Sequence, residues 1–181
     1  LQFFLWFMKG QIMKEIIELN KKGFEEINVV AICQDLIRMN SINPPGDEMA
    51  LARYCGNFLS RLGFEIKLLQ HSEKRASVLA HLKGSGQVPG VMVCGHLDTV
   101  PVGAISWKHA PLGGEIADGK IWGRGASDMK GGIAAILASG HELVKSDFVP
   151  RGDLWVGLTA GEETDFLGAL EISKHREVLP L

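Results

Sequence analysis

His96 and Asp98 directly follow the apolar run Val91-Met92-Val93-Cys94, so they sit where a buried strand should emerge into a loop. Positions i and i+2 of a strand point to one side, which lets an imidazole and a carboxylate face the same pocket. A carboxylate at that reach can fix the tautomer of the ring and raise its basicity as a metal ligand. Two more acidic groups follow, Asp128 and the pair Glu162-Glu163, each beside predicted regular structure. Adjacent carboxylates at a strand end repel each other unless a cation or a proton separates them. Their side chains diverge, so one can hold a metal ion while the other addresses the water on it. Taken singly, Asp128 also reads as a helix cap and Glu162-Glu163 as a solvated acidic loop. Ligands gather at the carboxyl ends of strands in α/β folds, so the joint occurrence points to a metal site.

The elements that must position these groups are legible as periodicities. Lys14 to Lys22 reads as a short polar-faced helix broken by Gly23. Val29, Ile32, Cys33, Leu36 and Ile37 recur at helical spacing and predict a helix over Asn28–Met39. Ser41-Ile42-Asn43-Pro44-Pro45-Gly46 ends it with turn chemistry. Leu51, Tyr54, Cys55, Phe58, Leu59 and Leu62 mark a second helix, stopped by Gly63. Phe64–Leu69, Ser77–Leu82, Val91–Cys94 and Leu154–Leu158 read as strands. Residues 98–127 are rich in Gly and Pro, a length of loop that is usually functional inside a compact domain. They hold one expected hairpin, Glu115-Ile116-Ala117 and Lys120-Ile121-Trp122 around Asp118-Gly119. Met129–Val144 and Leu167–Lys174 are the remaining predicted helices. Intermixed helices and strands argue for a layered α/β fold.

With 181 residues, of which 46% are hydrophobic, the chain can bury one sizeable core. A net charge of −2, with no basic stripe interleaved with aromatics, makes no case for nucleic acid or an anionic membrane. Cys33, Cys55 and Cys94 form no Cys-x-x-Cys pair and lie in apolar patterns, so they read as small buried hydrophobes of a reducing compartment. The apolar start, Leu1 to Met8, is far shorter than the roughly 20 residues of a membrane span and lacks signal-peptide flanks. Residues 1–12 are expected to be a non-native or disordered extension, with Met8 or Met13 as the true start; a short membrane anchor is the competing reading. His71, His81, His109, His141 and His175 read as ordinary surface or core histidines.

Several segments occur in order: Gly95-His96-Leu97-Asp98-Thr99-Val100-Pro101, Trp107 with Pro111, Asp118 through Gly132, and Thr159-Ala160-Gly161-Glu162-Glu163. Together they resemble the metallohydrolase family of acetylornithine deacetylase, succinyl-diaminopimelate desuccinylase, aminoacylase and glutamate carboxypeptidase. The Ser41–Gly46 turn is similar to the deacetylase and desuccinylase branch. The resemblance implies a zinc-exopeptidase-like catalytic domain, a mixed sheet flanked by helices. It implies two Zn2+ ions, with Co2+ or Mn2+ as substitutes. His96 would bind one ion, Glu163 the other, and Asp128 would bridge them. Asp98 would orient His96, and Glu162 would be the general base. The peptide after Asp128 is expected to be cis. Gly161 departs from the pattern, since many members carry aspartate there.

The implied reaction is hydrolysis of an amide bond in an N-acyl amino acid by a cytoplasmic enzyme, with a short peptide as the alternative substrate of a dipeptidase or carboxypeptidase. Family members are about twice this length and place two further metal ligands, a carboxylate and a histidine, beyond residue 181. Residues 13–181 are therefore expected to be the N-terminal part of the catalytic domain, lacking the inserted dimerisation domain and the C-terminal part, and to be inactive alone. Family dimers pair through the inserted domain, so the resemblance offers a homodimer for the full-length form and leaves its oligomeric state open. A reading of another class is a degenerate, non-catalytic interaction protein, for which an exposed sheet edge would argue.

Overall fold

The computed structural model describes residues 26–175; the expectations for residues 1–12 and for a helix over Lys14–Lys22 lie outside them. Helix α1 spans Val29–Arg38, and the Asn28 carboxamide caps it by accepting from the amides of Val30 and Ala31. Helix α2 spans Met49–Arg61. Strands β1 (Glu65–Gln70) and β2 (Ala76–Leu82) form an antiparallel pair, and β3 covers Val91–His96. The short hairpin β4 (Glu115–Ala117) and β5 (Lys120–Trp122) turns at Asp118-Gly119, both with positive φ, as that dipeptide predicts. Helix α3 (Gly131–Lys145), strand β6 (Leu154–Thr159) and helix α4 (Leu167–Ile172) complete the order.

The four-stranded sheet runs β1-β2-β6-β3, with β3 parallel to β6 and the other pairings antiparallel. It is the mixed sheet flanked by helices that the sequence leads one to expect. Alternation sorts the strands into two faces. Val78, Ala80, Val156 and Leu158 point into the main core, which α1, α2 and α3 cover with Leu36, Ile37, Leu51, Leu59, Ile133 and Leu137. Leu79 and Trp155 point the other way, against Ile172 of α4.

Two expectations are corrected. Val91–Cys94 is not a buried strand: Val91 is 57% and Val93 39% exposed, and Cys94 is exposed as well. An apolar run signals a doubly covered strand only when neighbours lie on both sides, and β3 pairs with β6 alone among the described residues. Cys33 and Cys55 are buried as expected, and burial pushes the Cys55 thiol up to about 12. The helix predicted from Met129 begins at Gly131, because Asp128 (φ −130°, ψ 98°) and Met129 (φ −134°, ψ 34°) are not helical. Periodicity cannot register such a break. No helix among the described residues is long and apolar enough to cross a membrane.

Candidate metal centre

The parallel register of β3 and β6 pairs His96 with Thr159, so both strands release their chains at one end of the sheet. His96 is the last residue of β3, and the Glu162-Glu163 loop leaves β6 beside it. Asp128 arrives from a third direction, in a π-type turn over Ala126–Lys130 that leads into α3. That turn is held from several sides. The Met129 sulfur accepts the His96 amide at 3.1 Å, and Gly95 leaves the space its methyl occupies. Lys130, 1% exposed, donates its ammonium to the Met39 carbonyl at 2.6 Å, and burial lowers its pKa to about 8. The Asp128–Met129 peptide is cis.

The imidazole of His96 is buried and lies between two sets of oxygens. Its Nδ1 is 3.0 Å from the Asp98 carbonyl oxygen and 3.6 Å from the Asp98 carboxylate. Its Nε2 lies 2.8 Å from Asp128 Oδ1 and 3.9 Å from Glu162 Oε2. One ligand atom each from His96, Asp128 and Glu163 can be chosen so that all three lie within 4.8 Å of one another. The Asp98 carboxylate raises the His96 pKa most, burial opposes it, Asp128 adds to it, and the ring reaches about 9. Burial works against ionisation of Asp98, but hydrogen bonds from His96, Asn43 and the amides of Glu163 and Glu162 overcome it and hold the carboxyl near 2. Burial also raises Glu163; His96 offsets this, while Asp128, Glu162 and Asp98 add to it.

Of the five residues singled out in the sequence, His96, Asp128 and Glu163 form a cluster that could hold a metal ion. Glu162 reaches toward the same imidazole nitrogen, and Asp98 stands behind the ring, fully buried. Four carboxylates around one imidazole leave an excess of negative charge that a divalent cation would neutralise. A nitrogen-and-oxygen donor set suits zinc, cobalt or manganese, so the residues present fit such an ion. Asn43 was not assigned from sequence, although its amide donates to Asp98 Oδ2 at 3.0 Å and to Thr164 Oγ1 at 2.7 Å. Its only sequence signal is its place in the Ser41–Gly46 turn. The departure at Gly161 has a local cause: its φ is +81°, and a side chain there would collide with the Asp165 carboxylate.

Fold and site together define an α/β protein with an imidazole–carboxylate cluster, able to hold a metal ion, at the carboxyl ends of parallel strands. Residues 92–179 match the family described as Peptidase family M20/M25/M40. It is 38% identical over 139 residues to a succinyl-diaminopimelate desuccinylase of Rhodospirillum centenum, covering 74% of this chain and 35% of that protein. It is 31% identical over 140 residues to the desuccinylase of Wolbachia pipientis wMel, covering 77% and 34%. The chain thus spans about a third of the length of these curated relatives. Among solved structures, human carnosine dipeptidase 1 superposes with a TM-score of 0.67 at 21% identity, over 90% of this chain and 37% of that one. An M20 family metallo-carboxypeptidase from Sulfolobus solfataricus gives 0.65 at 24%, over 74% and 30%. At these identities the structural likeness establishes the fold.

Proposed function

We propose that this chain supplies part of the active site of a two-zinc amidohydrolase that cleaves an N-acyl amino acid, in the manner of a desuccinylase or deacetylase. The observation that carries the reading is the convergence of His96, Asp128 and Glu163 within 4.8 Å, with Glu162 beside them. The relatives named as desuccinylases support an acyl amino acid over a peptide as substrate. His96 and Glu163 would each hold one ion and Asp128 would bridge the pair. When bound, the ions supply Lewis-acid polarisation of the amide carbonyl and lower the pKa of the attacking water.

The chain's own residues supply the rest. Contact of Nδ1 with the Asp98 carbonyl at 3.0 Å fixes the tautomer that leaves Nε2 free to bind an ion. Glu162, half-exposed and pointing at the cluster, takes the proton of the attacking water and returns it to the leaving amine. The amides of Glu162 and Glu163 donate to the two oxygens of Asp98, at 3.1 and 3.0 Å, so one buried carboxylate sets the loop that carries both glutamates. A homodimeric full-length form in the cytoplasm belongs to the same reading.

The test is hydrolysis of N-succinyl and N-acetyl diamino acids against a dipeptide by the full natural protein. Activity should disappear with a chelator and return with zinc. Glu162→Ala should lower kcat by about a hundredfold or more while metal still binds. Turnover indifferent to chelation or to Glu162→Ala would sink the reading, and preference for the dipeptide would move it to a peptidase.

A further inference from the structure

We propose that Asn43 is a positioning residue that sets the loop bearing Glu162 and Glu163 by bridging the Asp98 carboxylate to Thr164 within that loop. The inference rests on the proposed hydrolase reading and deepens it. Asn43 belongs to the Ser41–Gly46 turn, which is grafted onto the exit of β3. The Asn43 amide donates to the Thr99 carbonyl at 2.8 Å, and the Thr99 amide to the Ser41 carbonyl at 3.0 Å, a single parallel rung one residue beyond Asp98. The residue is 3% exposed, so its side-chain amide is committed to protein partners. Those partners are Asp98 Oδ2 at 3.0 Å and Thr164 Oγ1 at 2.7 Å, both reached from the same nitrogen.

Asp98 Oδ2 also accepts the amide of Glu163, and Oδ1 that of Glu162. The carboxylate therefore receives two donors from the glutamate loop and one from Asn43, which holds the same loop a second time through Thr164. A carboxylate on a single-bonded side chain can swing about its last torsion. Asn43 supplies the contact that stops it, and it does so from outside the β3–β6 frame. Asn suits the place chemically, because two N–H donors on one nitrogen serve two oxygens at once. Aspartate has the same shape and no donor.

The experiment compares wild type, Asn43→Asp and Asn43→Ala in the full natural protein, with Glu162→Ala as the control for activity. Two readouts are taken: steady-state kinetics of the zinc-loaded enzyme, and amide hydrogen exchange of the metal-free protein. Both variants should lower kcat by about tenfold or more with KM within about twofold, since Asn43 is buried against protein partners. Exchange at the amides of Glu162 and Glu163 should speed up by about tenfold, while those of Val156 and Leu158 in β6 keep their protection. Should Asn43→Asp fail to fold, Thr164→Val removes the second acceptor at an exposed position and should show the same pattern with a smaller factor. Unchanged kcat and unchanged protection at Glu162 and Glu163 in an active protein overturn the inference alone. Protection lost evenly through β6 also overturns it, because Asn43 would then serve only stability. A wild type without Glu162-dependent hydrolysis overturns the functional reading and this inference with it.

Discussion

At the scale of single residues, the site is governed by where protons sit before a metal arrives. His96 has its pKa raised to about 9 from 6.5, chiefly by the Asp98 carboxylate. A raised pKa means the metal-free fold binds this proton more tightly than the unfolded chain does. Its contribution to stability is therefore complete below about pH 6.5 and is lost as pH rises through about 9. A metal ion needs the neutral ring, so binding near neutrality must expel that proton. Zinc affinity should climb by about tenfold per pH unit between pH 6.5 and 8, with about one proton released per ion held by His96. Calorimetry in buffers of different ionisation enthalpy measures both quantities. An affinity flat over that range would show that His96 is neutral beforehand and that Asp98 does not act on it as described. The five candidate residues could be singled out in the sequence because each sits inside a short local pattern. The proton ledger was not, since it depends on which carboxylate lies beside which nitrogen.

Elements position the site through contacts that sequence periodicity cannot carry. Helices, strands and the hairpin were readable because their signals are local: a helical or alternating apolar repeat, a turn dipeptide, a stopping glycine. The ties between loops join residues far apart: Asn43 to Thr164 across 121 positions, Lys130 to Met39 across 91, and Arg75 to Asp165 across 90. Arg75 is the clearest case. Its guanidinium forks onto the fully buried Glu48 at the start of α2, at 3.0 to 3.3 Å, and reaches Asp165 after β6 at 3.1 Å. Removing the cation leaves a buried charge alone, a change that costs about 3–5 kcal/mol. Arg75→Met should destabilise by that order in urea unfolding. Asp165→Asn, at a half-exposed partner, should cost under about 1 kcal/mol. The double change Arg75→Met with Glu48→Leu should be milder than Arg75→Met alone, because no orphaned charge remains. Equal losses for Arg75→Met and Asp165→Asn would mean that Glu48 finds another partner or a proton. The same strap accounts for Gly161, whose missing side chain leaves room for the Asp165 carboxylate that Arg75 binds.

The whole molecule joins these ties to a fold whose core is well covered on one side of its sheet. Three helices close the inner face, while β3 is an edge strand among the described residues, with Val91 and Val93 exposed. The candidate metal donors lie on that edge strand, on the turn before α3 and on the loop after β6, so no single element holds them together. Without an ion, Asp98, Asp128, Glu162 and Glu163 crowd one imidazole, and the raised pKa of Glu163 registers burial together with its acidic neighbours. A cation removes that repulsion and cross-links the three segments, so binding should stabilise the entire fold. At zinc about a hundredfold above its dissociation constant, the gain is about 2.7 kcal/mol. For a domain of this size that amounts to a rise in Tm of about 5–10 °C. Glu163→Ala should behave in opposite senses in the two states. The metal-free variant should be as stable as the wild type or slightly more so, having lost a repelling carboxylate, yet zinc should raise its Tm by much less. On the proposed roles Glu162→Ala removes a repelling group and no ligand, so its zinc-dependent rise should stay close to that of the wild type. Thermal scans of the three proteins with chelator and with zinc separate the roles of the two glutamates. A Glu163→Ala protein with an undiminished zinc shift would remove Glu163 from the ligand set and hand its place to Glu162.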